Sequence, residues 1–405
     1  MTTPLDGVTV LDLGQIYNGP YATFLLAMSG ARVIKVESLI GEALRGRGEK
    51  SSAAYPFALL NQTKESITLD LKHEEGKALF LELVKSADVV VENYGPDTMD
   101  RLGLSAGRLL EANPRLIYAS GSGYGREGEH RDYLAMDVTV QAMAGVMSLT
   151  GTEETLPLKA GPAICDFFGG VHLYGAIVTK LFERERTGEG GIVDVAMQDT
   201  VLPTLATGLG AYYYHDRQVQ PRTGNRHPAG TMAPYNVYPA SDGHVAIICI
   251  RNGRWRSLTT VMGREDLLGR EEFETMESRG AHADEIDEIV SGWTMSKARA
   301  ELLAKLQQGG VPGAAVRNVE EVARDTHLHA RGMLRNENHE VLGDIVLMDS
   351  PINVATGRRV KPRMAPALGA QSAEVCRSLV GLDDAQIERL VDAGVISLGE
   401  GSGSE

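Results

Sequence analysis

One acidic residue in this chain has neighbours that suit it to chemistry. In the run PLKAGPAICDFFGGVHLYG, small residues lead to Cys165, Asp166, Phe167, Phe168, Gly169 and Gly170. Val171, Leu173, Ile177, Leu181 and Phe182 then recur at helical spacing, and Arg184, Arg186 and Gly188 close the run. Asp166 is therefore expected just before a helix. One reading is an N-cap, because an Asp side chain accepts bonds from the orphan N–H groups of a helix start. The other is a nucleophilic carboxylate, which adjacent glycines leave open to close approach by a substrate. The readings are compatible, since helix-start N–H groups also stabilise an ionised carboxylate. A free Asp is ionised at neutral pH and attacks without a general base. That suits a chain with no obvious Ser–His or Cys–His pairing. Cys165 could be a second nucleophile, but it reads as a small buried hydrophobe.

Other reactive side chains are weaker candidates. His227 lies in the turn-rich run RTGNRHP, with no second His or carboxylate at metal-ligand spacing, so it reads as a structural loop histidine rather than a ligand or base. No metal site is expected. Lys64 and Lys72 flank a short strand in NQTKESITLDLK and, taken alone, read as solvated lysines. Residues 133 to 151 form a Met-rich amphipathic segment whose methionines are expected in the core.

The elements that must position these residues follow from periodicity. GVTVLDL at 7 to 13 is a buried strand, Gly14 to Pro20 a loop, 21 to 29 a helix ended by Gly30, and Arg32 to Glu37 a second strand. This is a β-α-β unit of the doubly wound kind. Glu37 stands where a dinucleotide site would carry its ribose-binding acid, but G-x-G-x-x-G is absent, so no such cofactor is expected. A helix from His73 to Lys85, strands at Asp88 to Glu92 and Leu116 to Ser120, a loop from Gly121 to Gly125, a strand from Ile192 to Val195 and a long helical stretch from Met197 to Tyr214 follow. Beyond Arg222 the composition turns polar. Tyr235 to Ile250 reads as two strands about Ser241-Asp242-Gly243, and helices run from Gly253 to Gln308 before the breaker cluster at 309 to 313. Residues 398 to 405 read as a disordered tail.

The expected fold is therefore α/β, a Rossmann-like large domain with a smaller α+β domain. The large domain's N-terminal part spans 1–200, a linker 201–224, the small domain 225–330, and a linker and return segment 331–405. The 405 residues suffice for two domains, and 43% hydrophobic with 23% charged residues is ordinary for a globular protein. A net charge of −14 argues against nucleic acid or an anionic membrane as partner. An anionic ligand must then meet local cations or helix N-termini. The cysteines, Cys165, Cys249 and Cys376, form no disulfide or zinc framework. The start MTTPLDGVTVLDL lacks the features of a signal peptide, and no apolar run reaches the ~18 residues of a membrane span. The cytoplasm is the expected compartment.

The motifs resemble those of the family III CoA-transferases, the formyl-CoA transferase and carnitine CoA-transferase group. Asp166 before its glycines, Arg186-Thr187-Gly188-Glu189-Gly190, Met197-Gln198-Asp199, the N-x-x-K-x-S-I-x-L-D-x-K run at Asn61 to Lys72, V-E-N-Y at 91 to 94, and the block from Asp137 to Gly151 fall in the family's order. The resemblance implies that Asp166 is the catalytic nucleophile. It implies CoA contacts at Ile16, Tyr17, Leu69, Lys72, Asn93, Tyr94, Arg101, Met136 and Asp137, and a substrate pocket near Gly169, Met197 and His227. It implies transfer of CoA from an acyl-CoA donor to a carboxylic acid through aspartyl mixed-anhydride and aspartyl-CoA thioester intermediates. Coenzyme A enters as substrate, with no permanently bound cofactor, and the expected assembly is an interlocked-ring homodimer. The alternative is a 2-methylacyl-CoA racemase of the same fold. Several positions depart from the family pattern: Tyr17 replaces Gln, Ser38 replaces Arg, Asp97 replaces Gly, Met136 replaces Tyr or the racemases' His, and Ala370-Gln371 replaces Glu-His.

Overall fold

Alternating apolar strands and helices dictate a sheet buried on both faces, and the chain builds one. In this computed structural model, which describes residues 3–45, 53–219, 221–352, 354 and 360–399, contacts divide the chain into two units. The first comprises Met1–Ala144, Pro162–Val201 and Asp325–Glu405, and the second Gly145–Gly161 and Leu202–Arg324. The segment Gly145–Gly161, expected in the large domain, groups instead with the second unit.

The first unit holds a six-stranded sheet of β1 (Thr9–Asp12), β2 (Arg32–Glu37), β3 (Glu65–Thr68), β4 (Val89–Glu92), β5 (Ile117–Ser122) and β6 (Gly191–Ala196). Every pairing is parallel, and the order is β3-β2-β1-β4-β5-β6. Side chains alternate between the faces. Leu11, Ile34 and Val90 pack on one face with α2 (Glu74–Lys85) and α3 (Ala106–Ala112). Val10, Val33, Val89 and Ile117 pack on the other, beneath α1 (Asn18–Met28) and the later helix Ile164–Thr187. Strand order reverses between β1 and β4, so the crevice beyond their C-terminal ends is the place for a ligand. A hairpin of β10 (Leu334–His339) and β11 (Gly343–Met348) belongs to the same unit.

The return segment protects the sheet's open edge. Gln371 exchanges bonds with Ser66 of β3: its N–H donates to the Ser66 carbonyl at 2.9 Å, and its Oε1 accepts from the Ser66 N–H at 2.8 Å. An unpaired edge would otherwise invite another strand. In the second unit, antiparallel β7 (Tyr235–Ala240), β8 (Gly243–Ile248) and β9 (Gly313–Ala315) share a core with helices Asn252–Met262, Ala283–Thr294 and Arg299–Gln308.

Several elements differ from expectation. Helix α1 starts at Asn18, not at 21, because Pro20 fits the first turn of a helix, where its missing N–H costs nothing. Gly121 and Ser122 extend β5 rather than forming a loop. The stretch after Met197 breaks into a helix (Met197–Val201), a 3-10 turn (Leu202–Leu205) containing Pro203, and a helix (Ala206–Tyr214). Strand β9 begins at Gly313, the last residue of the cluster read as a breaker. The tail reading falls, from residue 400 onward, outside the described residues.

Candidate active site

Asp166 sits inside its helix, not before it. The helix, α5 hereafter, with α4 denoting Asp137–Met143, runs Ile164–Thr187, so Asp166 is its third residue. The cap comes from elsewhere in sequence. Asp137 Oδ1 accepts the N–H of Cys165 at 2.8 Å and that of Asp166 at 3.4 Å, while Asp137 Oδ2 accepts from Gln141 Nε2 at 2.6 Å. A carboxylate is well placed at a helix N-terminus. Leu173, Ile177 and Leu181 bury the helix against the sheet, whereas Val171 and Phe182, expected on the same stripe, are 38% and 61% exposed.

This setting changes the protonation of Asp166. Burial, reinforced by the charge of Asp137, raises its carboxyl from 3.8 to about 7. The expectation of full ionisation at neutral pH is thus corrected, because a carboxyl partly removed from water beside a second acid holds its proton longer. Cys165 is fully buried and its thiol is pushed up to about 12, chiefly by burial, which makes it a poor nucleophile.

The opposite wall is the loop from Gly14 to Tyr17, clamped from three sides. Gln15 donates its N–H to Asn93 Oδ1 at 2.7 Å, and Asn93 Nδ2 returns a bond to the Gln15 carbonyl at 2.9 Å. The Gly14 N–H reaches Asp12 Oδ1 at 2.8 Å, and Lys35 Nζ donates to the Gly14 carbonyl at 2.8 Å. Ile16 stands at φ 62°, a left-handed conformation rare for a β-branched residue, and its N–H donates to Glu42 Oε2 at 2.9 Å. Such strain persists only where surrounding bonds over-determine it.

Those bonds rest on a buried ionic cluster. Lys64 Nζ donates to Asp12 Oδ2 (2.8 Å), Thr23 Oγ1 (2.8 Å) and Asn61 Oδ1 (2.9 Å), with Lys64 and Asp12 side chains at 0% exposure. Lys35 meets Glu42 at 3.3 Å. Burial lowers Lys64 to about 8 against the pull of Asp12. The reading of Lys64 as a solvated strand-end lysine is therefore wrong. Glu37, the position a dinucleotide's ribose would need, is held by Arg45 at 2.6 Å and by Ser66 at 3.0 Å.

Between these walls lies a cavity of about 670 Å³, within the first unit, at the reversal point of the sheet. Of the residues expected to do chemistry, it brings together Asp166, Ile16, Asn93, Tyr94, Met136 and Met197. Met136 and Met143 are 54% and 45% exposed, so the expectation of core methionines fails for them.

The remaining candidates lie outside the cavity lining. Tyr17 stacks on Phe167 at 5.7 Å, and Leu69 is a core side chain. Lys72 is exposed, and Arg101 bonds the Pro96 carbonyl and Thr98 Oγ1. Asp137 is the helix cap, and Gly169 packs on Asn18. His227 belongs to the second unit, where its Nδ1 accepts the Ala229 N–H at 3.3 Å.

Sequence reasoning missed Asn18, Glu92, Tyr118 and Arg126, all on the cavity wall. Glu92 is buried and its carboxyl raised, while accepting from Tyr94 N–H (2.9 Å) and the Tyr118 hydroxyl (3.1 Å). Its place at the end of an apolar strand was the available signal.

The model of CoA-transferase family III matches residues 5–372. The chain belongs to that family. Its chemistry is accordingly CoA transfer, and it is an enzyme. It is 34% identical to the formyl-CoA:oxalate CoA-transferase of Streptomyces avermitilis, over 98% of this chain and 100% of that one. It is 37% identical to the succinyl-CoA:mesaconate CoA-transferase of Haloarcula hispanica, over 92% and 95%. A crystal structure of a CaiB/BaiF family protein from Brucella suis superposes with a TM-score of 0.82 at 34% identity, covering 94% of this chain and 100% of that one. Among the described residues no helix is long and apolar enough to cross a membrane.

Proposed function

We propose that Asp166 is the nucleophile of a double-displacement CoA transfer. A carboxylate oxygen of Asp166 bonds to the thioester carbon of the donor, and CoA thiolate leaves a mixed anhydride. The thiolate attacks the aspartyl carbonyl, releasing the donor's acid and forming an aspartyl-CoA thioester. The acceptor carboxylate attacks that carbonyl, giving a second anhydride and freeing the thiolate. Attack of the thiolate on the acceptor's acyl carbon forms the new thioester and returns Asp166 as carboxylate. The observation carrying this reading is the partly buried Asp166, raised to about 7, in the first turn of a helix lining the cavity.

Ile16, Asn93, Tyr94 and Met136 contact the pantetheine arm in this proposal. Lys72 and Arg101 meet the phosphates, with Tyr17, Leu69 and Asp137 supporting the same site, and Gly169 and Met197 serve the acyl end. The relatives' donors and acceptors suggest a small dicarboxylic acid as acceptor, and Tyr17 and Ser38, where formyl-CoA transferases carry Gln and Arg, argue against formyl-CoA and oxalate as the pair. The enzyme is a cytoplasmic homodimer of interlocked chains. A racemase is disfavoured because Met136, on the cavity wall, cannot carry a proton. The test is a panel of formyl-, acetyl- and succinyl-CoA against oxalate, mesaconate and succinate. Transfer to a dicarboxylate is expected, with no α-proton exchange from deuterated water in the absence of acceptor. Exchange without transfer would favour the racemase.

A further inference from the structure

Beside Asp166 stands a polar group that the protein itself does not satisfy. Asn18, the first residue of α1, is 2% exposed, and neither its Oδ1 nor its Nδ2 has a hydrogen-bond partner among the described residues. Buried polar side chains are nearly always paired, so an orphaned amide needs a reason. Asn18 lines the cavity together with Asp166 and Met197.

Two glycines bring the backbone hard against this amide. A Cβ on Gly169 would lie 2.2 Å from Nδ2, and one on Gly121 would lie 2.4 Å from Oδ1. Gly169 follows Asp166 by three residues in α5, so the two share a helix face. The amide's donor side is thus the side of the nucleophile. The cover over it is soft: Met197 Cγ lies 3.0 Å from the same Cβ position, and an unbranched thioether turns aside readily. The start of α1 adds partial positive charge, with no acid in its first turn to cancel it.

We infer that Asn18 is a further catalytic residue, whose Nδ2–H donates to the oxygen of the acyl group under attack at Asp166. This rests on the nucleophile reading above. As the Asp166 oxygen bonds to the thioester carbon, the carbonyl electron pair moves onto oxygen, and that oxyanion takes the unused donor. Its collapse re-forms the carbonyl and expels CoA thiolate. No other group of the protein takes this amide, so its bond to the oxyanion is made in the transition state, the differential interaction that accelerates a step.

The test compares Asn18→Leu, which keeps the shape, and Asn18→Ala with the wild type and Asp166→Asn, using succinyl-CoA and formyl-CoA as donors and mesaconate and oxalate as acceptors. Removing one oxyanion donor should lower kcat by about 10²- to 10³-fold, with the donor KM held within about threefold. The melting temperature of Asn18→Leu should not fall, because no protein hydrogen bond is lost. An unchanged kcat in both Asn18 variants, or a raised KM alone, overturns the inference. If Asp166→Asn is inactive while the Asn18 variants keep full kcat, only this inference fails; if Asp166→Asn turns over normally, the nucleophile reading falls and takes this one with it.

Discussion

At the scale of the residue, the proposed chemistry turns on a carboxyl that gives up its proton late. Only the ionised form attacks, so the rate of covalent adduct formation should rise about tenfold per pH unit below pH 7 and level above it. Stopped-flow single turnovers with the donor in excess would measure this. The same shift has a stability consequence. The unfolded chain releases the Asp166 proton near 3.8, and the folded chain keeps it to about 7. The group's contribution to stability is therefore full below about pH 4 and is lost as pH rises through that window. Asp166→Asn should remove this dependence, so its melting temperature should gain on the wild type between pH 5 and pH 8. A constant difference across that range would contradict the raised carboxyl.

Residue identity was legible where chemistry leaves a local pattern, and less so where it depends on depth. The motif around Asp166 could be read directly, but its place inside the helix could not, because the cap is Asp137, 29 residues earlier. Asp97 was read as a departure from glycine, and the reason is conformational: it stands at φ 54°, where glycine is the natural choice and Asp is tolerated. Asn18 left only the short run N-G-P as a signal.

At the scale of the element, two supports hold the site in place. The first is the cap on α5. Asp137→Asn keeps an acceptor for the Cys165 N–H but removes the charge, so the midpoint of the pH–rate profile should move below 7 with little change in melting. Asp137→Ala removes both and should cost about 1 kcal/mol in stability as well. Equal profiles for wild type and Asp137→Asn would show that burial alone raises Asp166. The second support is the Lys64–Asp12 pair beneath the Gly14–Tyr17 loop. Lys64→Met takes from the buried Asp12 carboxylate the cation bonded to it and should cost about 3–5 kcal/mol by urea unfolding, much of it recovered in the Asp12→Asn, Lys64→Met double variant. Additive losses would mean that the ions act independently. Periodicity disclosed the strands of the sheet because continuous apolar runs such as Val89–Val91 leave little choice. It missed the start of α1 because Pro20 reads as a loop residue until its place in a first turn is seen, and it misjudged Lys64 because burial of a charge is decided by partners distant in sequence.

At the scale of the whole molecule, the −14 charge means that an anionic thioester is attracted only locally. Arg126 and Arg131 are the cations on the cavity wall, and Arg126 lies over the Tyr118 ring at 5.4 Å. Tyr133, Leu134 and Met136 on the same wall are exposed apolar surface. Sedimentation at twice the chain mass is expected of the proposed interlocked dimer, without dissociation on dilution; a stable monomer with full activity would contradict it. The assembly was suggested by resemblance alone, because threading of two chains leaves no periodic mark in either.

The most direct measurement is mass spectrometry of the peptide carrying Asp166 after the enzyme is mixed with an acyl-CoA donor and quenched. The account predicts a CoA thioester on Asp166, trapped by hydroxylamine as the hydroxamate and absent from Asp166→Asn. Full turnover with Asp166 unmodified, or with the label on Cys165, would contradict it.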